Sequence, residues 1–207
     1  MNDEIALVYR AAAACLAYPD AEFDADIPLF DSALARVRHP GARLLREFLS
    51  TAAELDLDRR ATAYVDTFDF TNRHSLYLTW WTDGDTRNRG AALVRFKDYY
   101  RARGFDFGGD ELPDFLPAVL EFSALARTTA LLLEHRPALE LLRIALRDKD
   151  NAYAAVLAGI CATLPGPSPR DRAAARAMAR GGPPRESVGL EPYGHLAMLP
   201  LLTGDRR

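Results

Sequence analysis

Residues 111–122 read ELPDFLPAVLEF, an apolar, helix-forming stretch with prolines at 113 and 117. Either the prolines break a helix or they mark its start, and the fold class turns on which. A proline inside a helix removes a backbone hydrogen bond and clashes with the preceding turn. In the first turn the backbone N–H groups have no intrahelical partner, so a proline there loses nothing. With Asp114 as N-cap, Phe115, Leu116 and Pro117 fall in that first turn and Pro113 lies outside the helix. Leu116, Val119, Leu120 and Ser123 then share one side, and Glu121 flanks it, about 100° round from Leu120. Glu111 and Asp114 gather at the positive end of the helix dipole. On the residues alone, a capped helix start with a core stripe accounts for the whole stretch.

Outward from this helix the chain keeps a helical character. Ala, Leu, Arg and Glu dominate, while Val, Ile and Thr are sparse and no run alternates with period two. Helical spacing is present at Ile5, Val8, Tyr9, Ala12 and Leu16, stopping at Tyr18-Pro19-Asp20. Further stripes are Leu29, Ala33, Leu34 and Val37, then Leu44, Leu45, Phe48, Leu49 and Ala52, then Tyr64, Val65 and Phe68. SLYLTWW (75–81) reads as a short buried helix, with Trp80 assigned to the core. Asp85 suits the N-cap of the next helix, which carries Phe96 and closes at Gly104. Two more helices are expected over about 128–147 and 149–164. Residues 165–207 hold seven of the 13 prolines and six of the 13 glycines. Within them SPRDRAAARAMAR has helix-start signals but only Met178 as a large apolar side chain. The expectation is an all-α protein: one compact domain of roughly eight helices over 1–164, and a mobile tail over 165–207 with one marginal helix.

The net charge of −3 is uneven. Seven Arg against four acids give residues 165–207 a balance of +3, which leaves −6 on residues 1–164. An acidic body is a poor match for nucleic acid, whose phosphates need clustered cations. It suits a basic partner, and it equally fits a solvated acidic surface. Two cysteines without CxxC spacing argue against a disulfide scaffold or a cysteine zinc site. The N-terminus lacks a basic start followed by an apolar run, and no apolar stretch reaches the ~20 residues of a membrane span. A cytoplasmic location without membrane insertion is expected.

No catalytic or metal-binding pattern is complete. DGD at 83–85 lacks the remaining ligands of a calcium loop, and GFDFGG (104–109) lacks the Lys and Ser or Thr of a phosphate loop. His39, His74, His135 and His195 form no metal-binding pair. Ser75, Ser123 and Cys161 have no triad context.

Residues 64–122, through TDGDTRNRG (82–90) and ELPDFLPAVLEF, resemble NarJ-type nitrate reductase delta subunits, with weaker support from LAYPD (16–20) and GLEPYG (189–194). These belong to the chaperones of redox enzymes with molybdenum cofactors. Phe115 stands where the pattern leads one to expect His after LPD, so no imidazole role is carried over. The resemblance implies an all-helical chaperone with no catalytic residue and no cofactor or metal of its own. It implies binding to the catalytic subunit of a respiratory nitrate reductase, including its basic, apolar N-terminal segment, and molybdenum cofactor insertion before membrane assembly. Alternatives are a chaperone for another molybdoenzyme, or a small helical enzyme. Carried over by motif, the expected client-binding residues are Tyr77, Trp81, Asp83, Asp85, Glu111, Leu112, Asp114, Leu116, Pro117, Leu120 and Glu121. Tyr64, Phe68 and Asp69 are weaker candidates.

Overall fold

The computed structural model describes residues 1–70, 72–84, 87–108 and 111–181. In chain order the helices are α1 (Asp3–Leu16), α2 (Ala21–Leu34), α3 (Pro40–Ala53), α4 (Leu57–Phe68), a 3₁₀ turn (Asn72–His74), α5 (Leu78–Asp83), α6 (Arg87–Arg101), α7 (Leu116–Leu125), α8 (Ala130–Glu134), α9 (Arg136–Arg147), α10 (Tyr153–Ala162) and α11 (Arg172–Gly181). The described residues thus hold eleven helices rather than eight. Arg136-Pro137 splits one expected helix into α8 and α9, and α5 and α8 are only one to two turns long. No strand forms among the described residues beyond an isolated bridge between Tyr77 and Phe115.

Local chemistry sets the starts of α1, α2 and α4. The side chains of Asn2, Asp20 and Asp56 accept hydrogen bonds from the backbone N–H groups of Ile5, Phe23 and Arg59, at 2.8–2.9 Å. Starting α2 at Ala21 also decides its inward face. Phe23, Ile27, Phe30 and Leu34 turn toward the core, so Leu29, expected there, is 63% exposed. α1 is the central helix, with Val8, Tyr9, Ala11, Ala12 and Leu16 fully buried among α3, α7 and α10. α3 and α10 approach through two glycines. A Cβ on Gly41 would lie 2.6 Å from the Gly159 carbonyl oxygen, so neither helix can carry a side chain at that crossing. Phe96 and Val119 are core, as the stripes predict.

The segment after residue 164 is held against α9 rather than loose through its whole length. Arg136, buried, donates to the carbonyls of Pro165, Gly166 and Pro167. Arg143 donates to the Pro169 carbonyl at 2.7 Å and Arg147 to that of Arg170 at 3.0 Å. Glu140, with no exposed surface, accepts from Arg143 Nε and Ser168 Oγ, each at 2.6 Å. α11 follows, and Ala175 is fully buried. The boundary expected at 164 therefore does not mark the end of packing, because the anchors are guanidinium-to-carbonyl bonds that a count of large apolar residues misses. The rest of the expected tail, 182–207, lies outside the described residues.

His135 links α8 and α9 and is 8% exposed, its ring stacked on Phe96 at 5.0 Å. Burial lowers its pKa to about 4, helped by the charge of Arg95 and opposed by that of Asp83. The unfolded chain takes up this proton near pH 6.5. The contribution of neutral His135 is therefore complete above about pH 6.5 and lost as pH falls toward 4. Between pH 6 and 4.5 this amounts to about 2 kcal/mol. Urea denaturation should show that acid limb in the natural protein. In His135→Phe, which keeps the stack on Phe96 and removes an unpartnered buried Nδ1, the limb should flatten.

Candidate functional site

The chain leading into α5 is joined to the approach of α7. Leu78 N donates to the Asp114 carbonyl at 3.1 Å, and Leu116 N to the Leu76 carbonyl at 2.8 Å. Asp114 is completely buried, and its Oδ2 accepts from Thr79 N at 3.0 Å and Thr79 Oγ1 at 2.6 Å. Asp114 thus caps α5, whose own N-cap Tyr77 supplies no side-chain bond, and not α7. The N-cap of α7 is Phe115, again without a side-chain bond, and Pro117 sits in the first turn as the spacing predicts. Leu116, Pro117 and Leu120 are buried. Their surfaces are used up by packing on the core, as is that of Asp114, so none of these four expected client contacts is exposed.

Around this junction lies a polar network. Tyr77 Oη donates to Glu111 Oε2 at 2.8 Å, and its ring packs on Phe115 at 5.4 Å. Arg89 donates from Nε to Thr79 Oγ1 at 3.2 Å and stands over the Tyr77 ring at 5.6 Å. Arg89 therefore serves this network. Partial burial, then the bond to Glu111, push the Tyr77 hydroxyl up to about 12, so it remains a donor at neutral pH.

The weaker candidates bring this junction to α4. Tyr64 and Phe68 point inward; Tyr64 packs edge-on against Tyr18 at 5.5 Å and donates to the Leu16 carbonyl at 3.3 Å. Burial raises the Tyr64 pKa, and the charges of Asp69 and Glu111 raise it further. Asp69 and Glu111, 42 positions apart in the sequence, thus act on one hydroxyl. On the outward side of α4, Asp58, Ala61, Thr62, Val65 and Asp66 recur at helical spacing. With Tyr18, 56% exposed, and Phe70, 73% exposed, they line a shallow groove of about 490 Å³. Among the described residues its lining contains two carboxylates and no cation. The sequence reading missed Tyr18, Asp58, Asp66 and Phe70. The period of the acids along α4 and a phenylalanine just past its end were the available signals.

The remaining candidates lie elsewhere. Trp81 is half-buried, with Nε1 donating to the Ser75 carbonyl at 2.9 Å, and it lines a different cavity. Trp80, assigned to the core, is also only partly buried. Asp83 accepts from Thr82 Oγ1 at 2.8 Å. Leu112 is 38% exposed. Glu121 is exposed on α7, with no hydrogen bond among the described residues. Asp85 lies outside the described residues. No group of His, Cys, Asp or Glu among the described residues could hold a metal ion. Cys15 and Cys161 are buried thiols whose pKa values burial raises, which leaves them unreactive.

Residues 31–158 match the nitrate reductase delta subunit family, within the part of the chain that builds both the junction and the face of α4. The chain belongs to that family. It is 38% identical over 160 residues to the nitrate reductase-like protein NarX of Mycobacterium tuberculosis, covering 76% of this chain but only 24% of that protein. NarJ of Bacillus subtilis, described as a probable nitrate reductase molybdenum cofactor assembly chaperone, is 32% identical over 165 residues, 76% of this chain and 88% of its own length. NarJ of Escherichia coli K12, a nitrate reductase molybdenum cofactor assembly chaperone, is 34% identical over 146 residues, 67% of this chain and 61% of its own. A crystal structure from Archaeoglobus fulgidus, described as a redox enzyme maturation protein, has the same fold: TM-score 0.60 at 16% identity, over 78% of this chain and 94% of that one. The two NarJ proteins are the relatives among these that are named as assembly chaperones. No described helix is long and apolar enough to cross a membrane.

Proposed function

We propose that this protein is an assembly chaperone for the catalytic molybdenum subunit of a nitrate reductase. It acts in the cytoplasm before membrane assembly and engages a basic, apolar segment at the client's N-terminus. The observation that carries this reading is the acid-flanked aromatic face that the outward side of α4 forms with Tyr18 and Phe70. Exposed Tyr18 and Phe70 offer apolar surface, as a groove that takes an amphipathic helix requires. Asp58, Asp66, Asp69 and Glu111 offer carboxylates to Arg or Lys beside it. Relatives named as molybdenum cofactor assembly chaperones support the identity of the client.

The test is calorimetric titration of the full chain with a peptide from the N-terminus of the cognate catalytic subunit. Phe70→Ala should weaken binding about tenfold, as for the lost burial of a large apolar side chain. Asp58→Asn and Asp66→Asn should each cost about two- to fivefold, less at high salt, because the pairs are exposed. Melting temperatures should not change, since all three side chains are on the surface. Glu111→Gln and Glu121→Gln extend the map, Glu121 being the exposed acid on α7. Wild-type affinity in Phe70→Ala and both Asp variants would remove the face as the client site.

A further inference from the structure

A cavity of about 990 Å³ has the opposite charge to the face just described. It lies between the end of α4, the 3₁₀ turn, α5, α9 and α11. Arg73, Lys149, Arg172 and Arg176 contribute to its lining, and among the described residues Asp66 is the one carboxylate there. Arg172 is tied to Asp148 at 3.6 Å, outside the lining. Arg73, Lys149 and Arg176 have no ion-pair or hydrogen-bond partner among the described residues. Three separate segments thus bring cations to one concave surface without anions to match them, which raises the local concentration of any anion.

The rest of the lining is not featureless. Trp81 is anchored by its Nε1 bond to the Ser75 carbonyl, so the indole is held in place. His74 Nδ1 faces the Thr67 carbonyl at 3.0 Å; the carbonyl can only accept, so Nδ1 carries the hydrogen. Pro137, Ala138, Leu141 and Ala145 supply an apolar wall from α9. Such a site, apolar on one side with a few convergent charges, has the makeup and roughly the upper size of small-molecule pockets.

We propose that this cleft binds a small phosphate-bearing molecule with a flat heteroaromatic ring. Guanidinium and ammonium groups of Arg73, Lys149 and Arg176 take the phosphates, and the ring lies along Trp81 and the α9 wall. Only Asp66 is shared with the client face, so this site does not depend on the client assignment.

ADP, inorganic pyrophosphate and adenosine serve as probes, titrated calorimetrically into the full chain at low salt. ADP should bind saturably, pyrophosphate more weakly and adenosine not detectably, and added salt should weaken ADP. The double variant Arg73→Glu/Arg176→Glu should lose at least about tenfold in ADP affinity, as removal of charge-assisted bonds requires. Its melting temperature should hold, because both side chains are exposed. Trp81→Leu should weaken ADP and leave pyrophosphate unchanged. Absence of binding by both ADP and pyrophosphate, or equal ADP affinity in the double variant, overturns the site. Equal affinities for ADP and pyrophosphate overturn the place assigned to the ring.

Discussion

Glu140→Ala is expected to lower stability by about 3–5 kcal/mol, the largest effect of any single substitution considered. Glu140 has no exposed surface and sits 2.6 Å from Arg143 Nε and 3.6 Å from Arg136. Both guanidinium groups are nearly buried. Removing the carboxylate leaves two buried cations without their counter-charge and Ser168 without its acceptor. Whether the intact cluster is worth more than an apolar replacement is a separate matter, because desolvation offsets much of the attraction; breaking it from one side has no such offset. Guanidinium denaturation should show the loss, with a melting temperature lower by on the order of 10 °C. The same variant should expose the Pro165–Pro169 segment, so trypsin should cut at Arg170, Arg172 and Arg176 faster than in the natural protein. A loss below about 1 kcal/mol with unchanged proteolysis would mean that other contacts hold α11 on α9.

Asp114→Ala should cost about 3 kcal/mol, because a buried carboxylate accepts two hydrogen bonds and each bond to a charged group is worth about 1.5–3 kcal/mol. Its loss leaves the second N–H of α5 and the Thr79 hydroxyl without their acceptor, in a place water does not reach. Asp114→Asn should be milder, at about 1–2 kcal/mol. The amide oxygen can replace Oδ2, while the NH₂ falls near Oδ1, which has no hydrogen-bond partner among the described residues. A local N-cap on α7 would make Asn equal to Asp. Equal stability of the Asp and Asn forms in urea denaturation would therefore argue against the cap across to α5. Weaker client binding by Asp114→Ala should follow its stability loss, whereas Phe70→Ala should weaken binding without any.

What could be read from the sequence was local. Helical periodicity and the position of Pro117 in a first turn depend on neighbours within four residues, and those signals decide the all-α fold. Family membership was legible for the same reason, since its motifs are contiguous. The sites were not. Asp114 has the spacing of a cap for α7, but Leu116 N and Leu78 N bond across to the other segment, and that pairing swings its carboxylate onto Thr79, 35 positions away. Arg73, Lys149 and Arg176 meet around one cleft only because distant helices pack. Charges in a sequence carry no record of their distance, and Coulomb energy depends on that distance and on burial. The sequence by itself therefore determined which segments are helices and which family they compose. The tertiary structure alone decided which carboxylates are buried supports, which are left facing solvent beside aromatic rings, and where the cations converge.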